Sequence, residues 1–166
     1  MEVISERRKK VLLSSNHPFP AAVLPNSLPA ADESRCTLIF EESEQWFRAT
    51  WRGYIDPAEA MWGATTYLNL AMDVPCSCLL NDNSALQGPW FDTVEWLERV
   101  WLPHAHRLGL RYIAHVVQAD THTDILTLSF PSSIRGQVEL QLFHHVAEAE
   151  EWLRTCQQRA NSLPAQ

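Results

Sequence analysis

Glycine is scarce in this chain, with five residues in 166. None of the five belongs to a Gly-rich phosphate cradle, and no Gly-x-Ser-x-Gly elbow occurs, so phosphate-loop and serine-hydrolase chemistry lack their usual supports. Positive charge is also short: 13 Lys and Arg face 20 Asp and Glu, for a formal net charge of −7. Nucleic-acid binding draws most of its affinity from phosphate neutralisation and needs a basic face. The one locally basic stretch, Glu6-Arg7-Arg8-Lys9-Lys10, sits in a proline-punctuated N-terminal region, which argues against a nucleic-acid partner. No apolar run approaches the roughly 20 residues of a membrane span. Val11-Leu12-Leu13 is too short for the core of a secretory signal, so a cytoplasmic location is expected. Cys36, Cys76, Cys78 and Cys156 have no framework spacing and read as free, mostly buried thiols of a reducing compartment.

Metal chemistry is equally thin. His104 and His106 are two apart on a helix and point to different faces, and the neighbours His144 and His145 diverge at a strand end. Cys76 and Cys78 share a strand face, yet two thiols do not close a zinc site. No Cys-x-x-Cys or His-Glu-x-x-His is present. No metal or other cofactor is expected.

What is present is a globular composition, 46% hydrophobic and 20% charged, long enough to bury a core without staples. Residues 1–34 stand apart: Pro18, Pro20, Pro25 and Pro29 punctuate Ser, Asn and Ala. They read as a flexible tail with a short helix near residues 3–13, or as an arm packing through Phe19, Val23 and Leu24. The folded domain is expected over residues 35–160, with 161–166 a polar C-terminal tail. Cys36–Phe40 reads as a strand, Glu41–Glu44 as a turn, and Gln45–Arg52 as the returning strand, ended by Gly53-Tyr54. In that strand Phe47, Ala49 and Trp51 share one face and Arg48, Thr50 and Arg52 the other.

Asp56-Pro57-Ala58-Glu59 announces a helix through a capping Asp, a first-turn Pro and a Glu three residues after the cap. Its buried stripe is read as Ala58, Met61, Trp62, Thr65, Leu68 and Met72. Cys76–Leu80 suggests a central strand buried on both faces. Asn81 to Gly88 then reads as a polar strand-to-helix turn. Pro89 opens a second helix with Trp90, Val94, Leu97, Trp101, Ala105 and Leu108 inward, kinked at Pro103 and stopped at Gly109. Trp96 falls off that stripe. Arg111–Gln118 and Val138–Phe143 read as strands, Thr121–Phe130 as a short helix or irregular strand, and residues from Val146 to Cys156 as a closing amphipathic helix carrying Trp152. The order β-β-α-β-α-β-(α)-β-α predicts an α/β fold with a single mixed sheet: an antiparallel N-terminal hairpin, then parallel strands, with packed helices.

In this order, "FRATWRGYID" (47–56), "CLLNDNSALQGPWFDTVEWLERVWLP" (78–103), "GLRYIAHVVQAD" (109–120) and "LQLFHHVAEAEEWL" (140–153) carry a resemblance. The chain resembles the STAS-like domains, specifically the bacterial SpoIIAA-like branch, also described as STAS/SEC14 domain proteins. The resemblance covers about residues 35–158. It implies a STAS-like fold and a regulatory, non-enzymatic role. In the related anti-sigma factor antagonists a serine after the equivalent strand is phosphorylated; Ser84 is the only hydroxyl in that region here, but it follows Asp82 by two residues rather than one. SEC14-type relatives bind lipids or other apolar ligands in a groove.

Ligands of open α/β sheets sit beyond the carboxyl ends of parallel strands. Two segments meet that condition, Asp82–Gly88 and Ala119–Asp124. If their strands are neighbours, Asp82, Asn83, Ser84, Asp120, Thr121 and His122 form a polar rim; otherwise Asn and Asp are turn formers bonded to their own backbone. His115, between apolar strand residues, reads as a core histidine with one hydrogen bond. The resulting expectation is a non-enzymatic regulatory or binding module that recognises another protein through these loops. A carrier of a small apolar ligand is the alternative, followed by a hydrolase built on Asp82, Ser84 and His122.

Overall fold

A computed structural model describes residues 10–13, 35–118 and 136–162. The apolar and polar alternation from Arg35 onward produces a hairpin of β2 (Arg35–Glu41) and β3 (Trp46–Tyr54), with Leu38 opposite Ala49 and Phe40 opposite Phe47. Its turn closes when the Gln45 N–H donates to the Glu41 carbonyl at 2.7 Å. Phe47, Ala49 and Trp51 are buried together, as the alternation predicts, while Arg52 on the other face is exposed. β3 continues through Gly53 and Tyr54, read above as its end, because both residues pair with β4 (Cys78–Gln87).

β3, β4, β5 (Tyr112–Val116) and β6 (Glu139–Phe143) are parallel neighbours, with Leu79 opposite Ile113 and Asp82 opposite Val116. β1 (Lys10–Leu13) adds antiparallel to β2 and completes a mixed six-stranded sheet in sequence order. A helix was the sequence expectation for residues 3–13. Over 10–13 the chain is extended instead, because an apolar Val-Leu-Leu can satisfy its backbone on the open edge of β2. The other residues of the expected N-terminal tail, and 119–135, lie outside the described residues.

α1 (Pro57–Asp73) starts at the anticipated capping box: the Glu59 N–H donates to Asp56 Oδ1 at 2.8 Å, and the Asp56 N–H to Glu59 Oε2 at 3.0 Å. Its buried face differs from the expected one. Ala60, Gly63, Ala64, Tyr67 and Ala71 point inward, whereas Trp62 and Met72 are 45% and 63% exposed. The sheet explains the choice. Trp51 rises so close to the helix that a Cβ on Gly63 would lie 2.4 Å from its ring. A bulky sheet residue needs a small helix face above it, and close packing selects the alanine-rich side.

The second crossover is segmented. A 3₁₀ turn (Trp90–Thr93) leads into α2 (Val94–Trp96), a π-helical turn (Leu97–Trp101) and α3 (Leu102–Arg107). Pro103 accounts for the wide turn. A proline ring collides with the carbonyl four residues back in a regular helix, and a π turn opens that spacing. The turn is closed by the Leu102 N–H on the Leu97 carbonyl. Trp101 Nε1 donates to the Ala64 carbonyl at 2.8 Å, which ties this segment to α1 on one face of the sheet. α4 (Val146–Ser162) covers the opposite face with Ala149, Leu153 and Cys156 buried. Its Trp152 packs against Phe143 and Tyr112, at ring-centroid distances of 5.7 and 6.2 Å.

Candidate functional site

The polar run Asn81-Asp82-Asn83-Ser84 is not a strand-to-helix turn; it lies inside β4. Its turn-forming chemistry is absorbed by a bulge. Asp82 stands opposite Thr50 and Ala85 opposite Arg52, so β4 spends three steps where β3 spends two. The Ser84 N–H donates to Asp82 Oδ1 at 3.0 Å, a local Asx bond of the kind these residues favour in turns. The bulge also resets the alternation: Leu79, Asn81, Asn83 and then Leu86 face the helices of α1–α3.

Between that face and the helices lies a cavity of about 120 Å³. Trp51, Ile113 and His115 contribute to its floor with Asn81 and Asn83, and Tyr67, Leu97 and Trp101 to its roof. Tyr67 sits at the centre of an aromatic row, 5.3 Å from the Phe47 ring and 5.4 Å from that of Trp101. Glu98, half-buried, also lines the cavity.

A polar relay runs along the floor. Trp51 Nε1 can only donate, and it donates to Asn81 Oδ1 at 2.9 Å. That contact orients the carboxamide, so Asn81 Nδ2 is the group facing His115 Nδ1 at 2.9 Å. The amide nitrogen donates, hence Nδ1 accepts, and the imidazole proton resides on Nε2. Burial pushes His115 down to about 4, against a smaller opposing pull from Asp82. The ring is therefore neutral at pH 7. Burial likewise raises Tyr67, with Cys76 and Cys78 adding to the effect, so its phenol keeps its proton. Cys36 lines the cavity too, but burial pushes its thiol up to about 12 and leaves no thiolate to attack a substrate.

Two buried polar atoms of residues that line the cavity, Tyr67 Oη and Asn83 Oδ1, have no hydrogen-bond partner among the described residues. Leaving such an atom unsatisfied costs about 1–3 kcal/mol.

Of the residues singled out in the sequence, Asn83 is buried and lines the cavity, Asp82 is half-buried, and Ser84 is exposed at the bulge. Asp120, Thr121 and His122 lie outside the described residues. β4 and β5 are parallel neighbours with Asp82 opposite Val116, the last residue of β5, while β4 itself runs on to Gln87. His115 is buried and bonded to Asn81, as a core histidine should be. Tyr67 and Trp51 were missed as site residues. One signal was available: Asn81 and Asn83 interrupt an apolar run at strand spacing, which places two amides on one buried face. Among the described residues, no group of three or more His, Cys, Asp or Glu is arranged to hold a metal, and no helix is long and apolar enough to cross a membrane. Compared with protein-family models, curated proteins and solved structures, the chain matches none.

Proposed function

We propose that this chain is a non-enzymatic binding module of the STAS-like type, whose ligand is a small, largely apolar molecule held between the sheet and α1–α3. One observation carries the reading: a largely apolar cavity of about 120 Å³ lies between the sheet and α1–α3, lined by Trp51, Tyr67 and Trp101 together with the carboxamide residues Asn81 and Asn83. Binding sites combine these features, an apolar enclosure with a few fixed polar groups. A cavity near 150 Å³ accepts benzene, and at about 120 Å³ this one is on the scale of a somewhat smaller molecule. The STAS-like assignment draws its support from element order, hairpin first and parallel β-α units after it. The cytoplasmic location draws support from four free, buried thiols. Recognition moves from the loops named in the sequence reading to the sheet face beneath the helices.

The test is denaturing mass spectrometry of organic extracts from purified protein, paired with Ala49→Leu, which adds bulk to the cavity wall. The wild type should release a copurified small molecule, or be stabilised thermally by compact aromatic fragments. Ala49→Leu should lose either response while keeping its circular dichroism. An unchanged response in the variant removes the cavity from the mechanism.

A second reading, a protein partner, is favoured by the exposed Met61, Trp62 and Met72 on α1 together with Tyr54. Regulation through a phosphate on the exposed Ser84 belongs with it. Partner capture lost in Trp62→Ser yet intact in Ala49→Leu would favour this reading over the first.

A further inference from the structure

We infer that α1 is a self-association surface: two copies of this chain pack through the outer stripe of Met61, Thr65, Leu68 and Met72, flanked by Trp62. The inference rests on the α1 face of the second reading, names its occupant, and does not depend on the cavity.

Three observations carry it. The first is the pattern. Met61, Thr65, Leu68 and Met72 follow one another at intervals of four, three and four residues, the spacing of a seam between two packed helices. They cover about 16 Å of helix. Met61, Trp62, Thr65 and Met72 are exposed and Leu68 is half-buried, so the stripe that periodicity marks for burial stays bare in the fold. The second is what the stripe asks of its surroundings. Thr65 and Thr66 donate their hydroxyls back to the Met61 and Trp62 carbonyls, at 2.8 and 2.9 Å. Those donors are already satisfied, so covering the stripe buries mainly apolar groups and strands no hydroxyl proton.

The third is charge, and it selects the occupant. Residues 60–72 hold no charged side chain; the charges of α1 are Glu59 and Asp73, at its two ends. α4, of equal length on the opposite face of the sheet, carries Glu148, Glu150, Glu151, Arg154 and Arg159. A chain of formal net charge −7 repels its own copy over most approaches, and an uncharged stripe is where two copies meet without opposing like charges. A strongly charged partner would find no counter-charge there. A membrane surface is met by Lys and Arg beside the apolar face, and α1 has neither. An isologous pair needs only self-complementarity, which adaptable methionines supply.

A single helix face is a small interface, so the expected dissociation constant is on the order of 10–100 µM, and the chain is monomeric at the low concentrations of an unfolding experiment. Sedimentation equilibrium of the full chain, from about 5 to about 500 µM, spans that range. The mass should rise from 19.0 kDa towards twice that value. Methyl-¹³C methionine labelling reports the place, because Met61 and Met72 are two of the three methionines. Both signals should shift with the same concentration dependence as the mass. Met61→Glu and Met72→Glu should each weaken association at least about tenfold, since both copies then carry the added carboxylate. Thr155→Glu adds the same charge to the exposed side of α4 and should weaken it less than about twofold. Circular dichroism checks that each variant is folded.

A mass that stays at 19.0 kDa over the whole range overturns the proposal. So does a dimer that survives both stripe variants, or one lost equally in Thr155→Glu, because the contact then lies elsewhere or reflects net charge alone. Methionine signals that shift on phosphatidylcholine vesicles while the mass stays monomeric, or Trp62-dependent capture of a different protein by a monomeric chain, put another occupant on the stripe and overturn it too. None of these outcomes touches the cavity reading, since neither Met61 nor Met72 lines the cavity.

Discussion

His115 occupies a strand position that alternation reserves for an apolar side chain, between Ile113 and the end of β5. It is tolerated there because Asn81 answers Nδ1, and Trp51 in turn answers Asn81. Burial holds the ring well below its ordinary range, at about 4. Above pH 6.5 the imidazole is neutral in both folded and unfolded chains, and it contributes no pH dependence. As pH falls from 6.5 towards 4, the unfolded chain takes up a proton that the folded chain refuses, so stability is lost through this window. The full loss is about 3 kcal/mol for a shift of this size. Urea midpoints between pH 4 and 8 should decline on the acid side for wild type, and His115→Gln should flatten that decline. The histidine was legible as buried from its apolar neighbours alone. Its partners were not, since Trp51, Asn81 and His115 come from three strands.

At the scale of elements, α1 separates pattern from packing. Its start was legible to the residue, because a capping box is a local hydrogen-bond exchange between Asp56 and Glu59. Its buried side was not. Hydrophobicity points to Met61, Trp62 and Met72, yet Trp51 on β3 admits only the side with Gly63 and Ala64. Two substitutions should therefore behave contrary to intuition. Gly63→Ala improves intrinsic helix propensity by about 1 kcal/mol, but the clash with the Trp51 ring should leave a net loss of about 1–2 kcal/mol. Trp62→Ser removes a large apolar residue and should change stability by less than about 0.5 kcal/mol. Equilibrium unfolding of both variants checks the pair. A stabilised Gly63→Ala, or a strongly destabilised Trp62→Ser, would mean that the other face is buried. β4 teaches the same lesson: a run of Asn, Asp and Ser looks like a turn, but a bulge accommodates it within a ten-residue strand.

Across the whole molecule, the hairpin and the last helix are joined over a long stretch of chain. Arg48 on β3 bridges Glu41 on β2, at 2.9 Å, and Glu150 on α4. Arg154 of α4 pairs with Glu44 at 3.0 Å and lies over the Trp46 ring at 5.6 Å. Trp46 itself donates to Glu41 at 2.6 Å. These side chains are partly shielded, so the contacts exceed ordinary surface pairs in value. Arg48→Met should cost about 2 kcal/mol of global stability, because two carboxylates lose their shared donor. Hydrogen exchange should rise in α4 and β2 together, and a rise confined to β3 would contradict this joint role.

The amino-acid sequence by itself determined the α/β class, the hairpin followed by parallel units, the cap of α1 and the strain at Pro103. Each of these depends on residues near one another in the chain, through alternation, capping or ring geometry. Only the tertiary structure decided which face of α1 is buried, that Asn81 to Ser84 stay in the sheet, and that Tyr67, Asn83 and His115 surround one cavity. Those outcomes depend on shape complementarity and hydrogen bonds between segments 12 to 48 residues apart, where no local pattern records what the opposite surface will be.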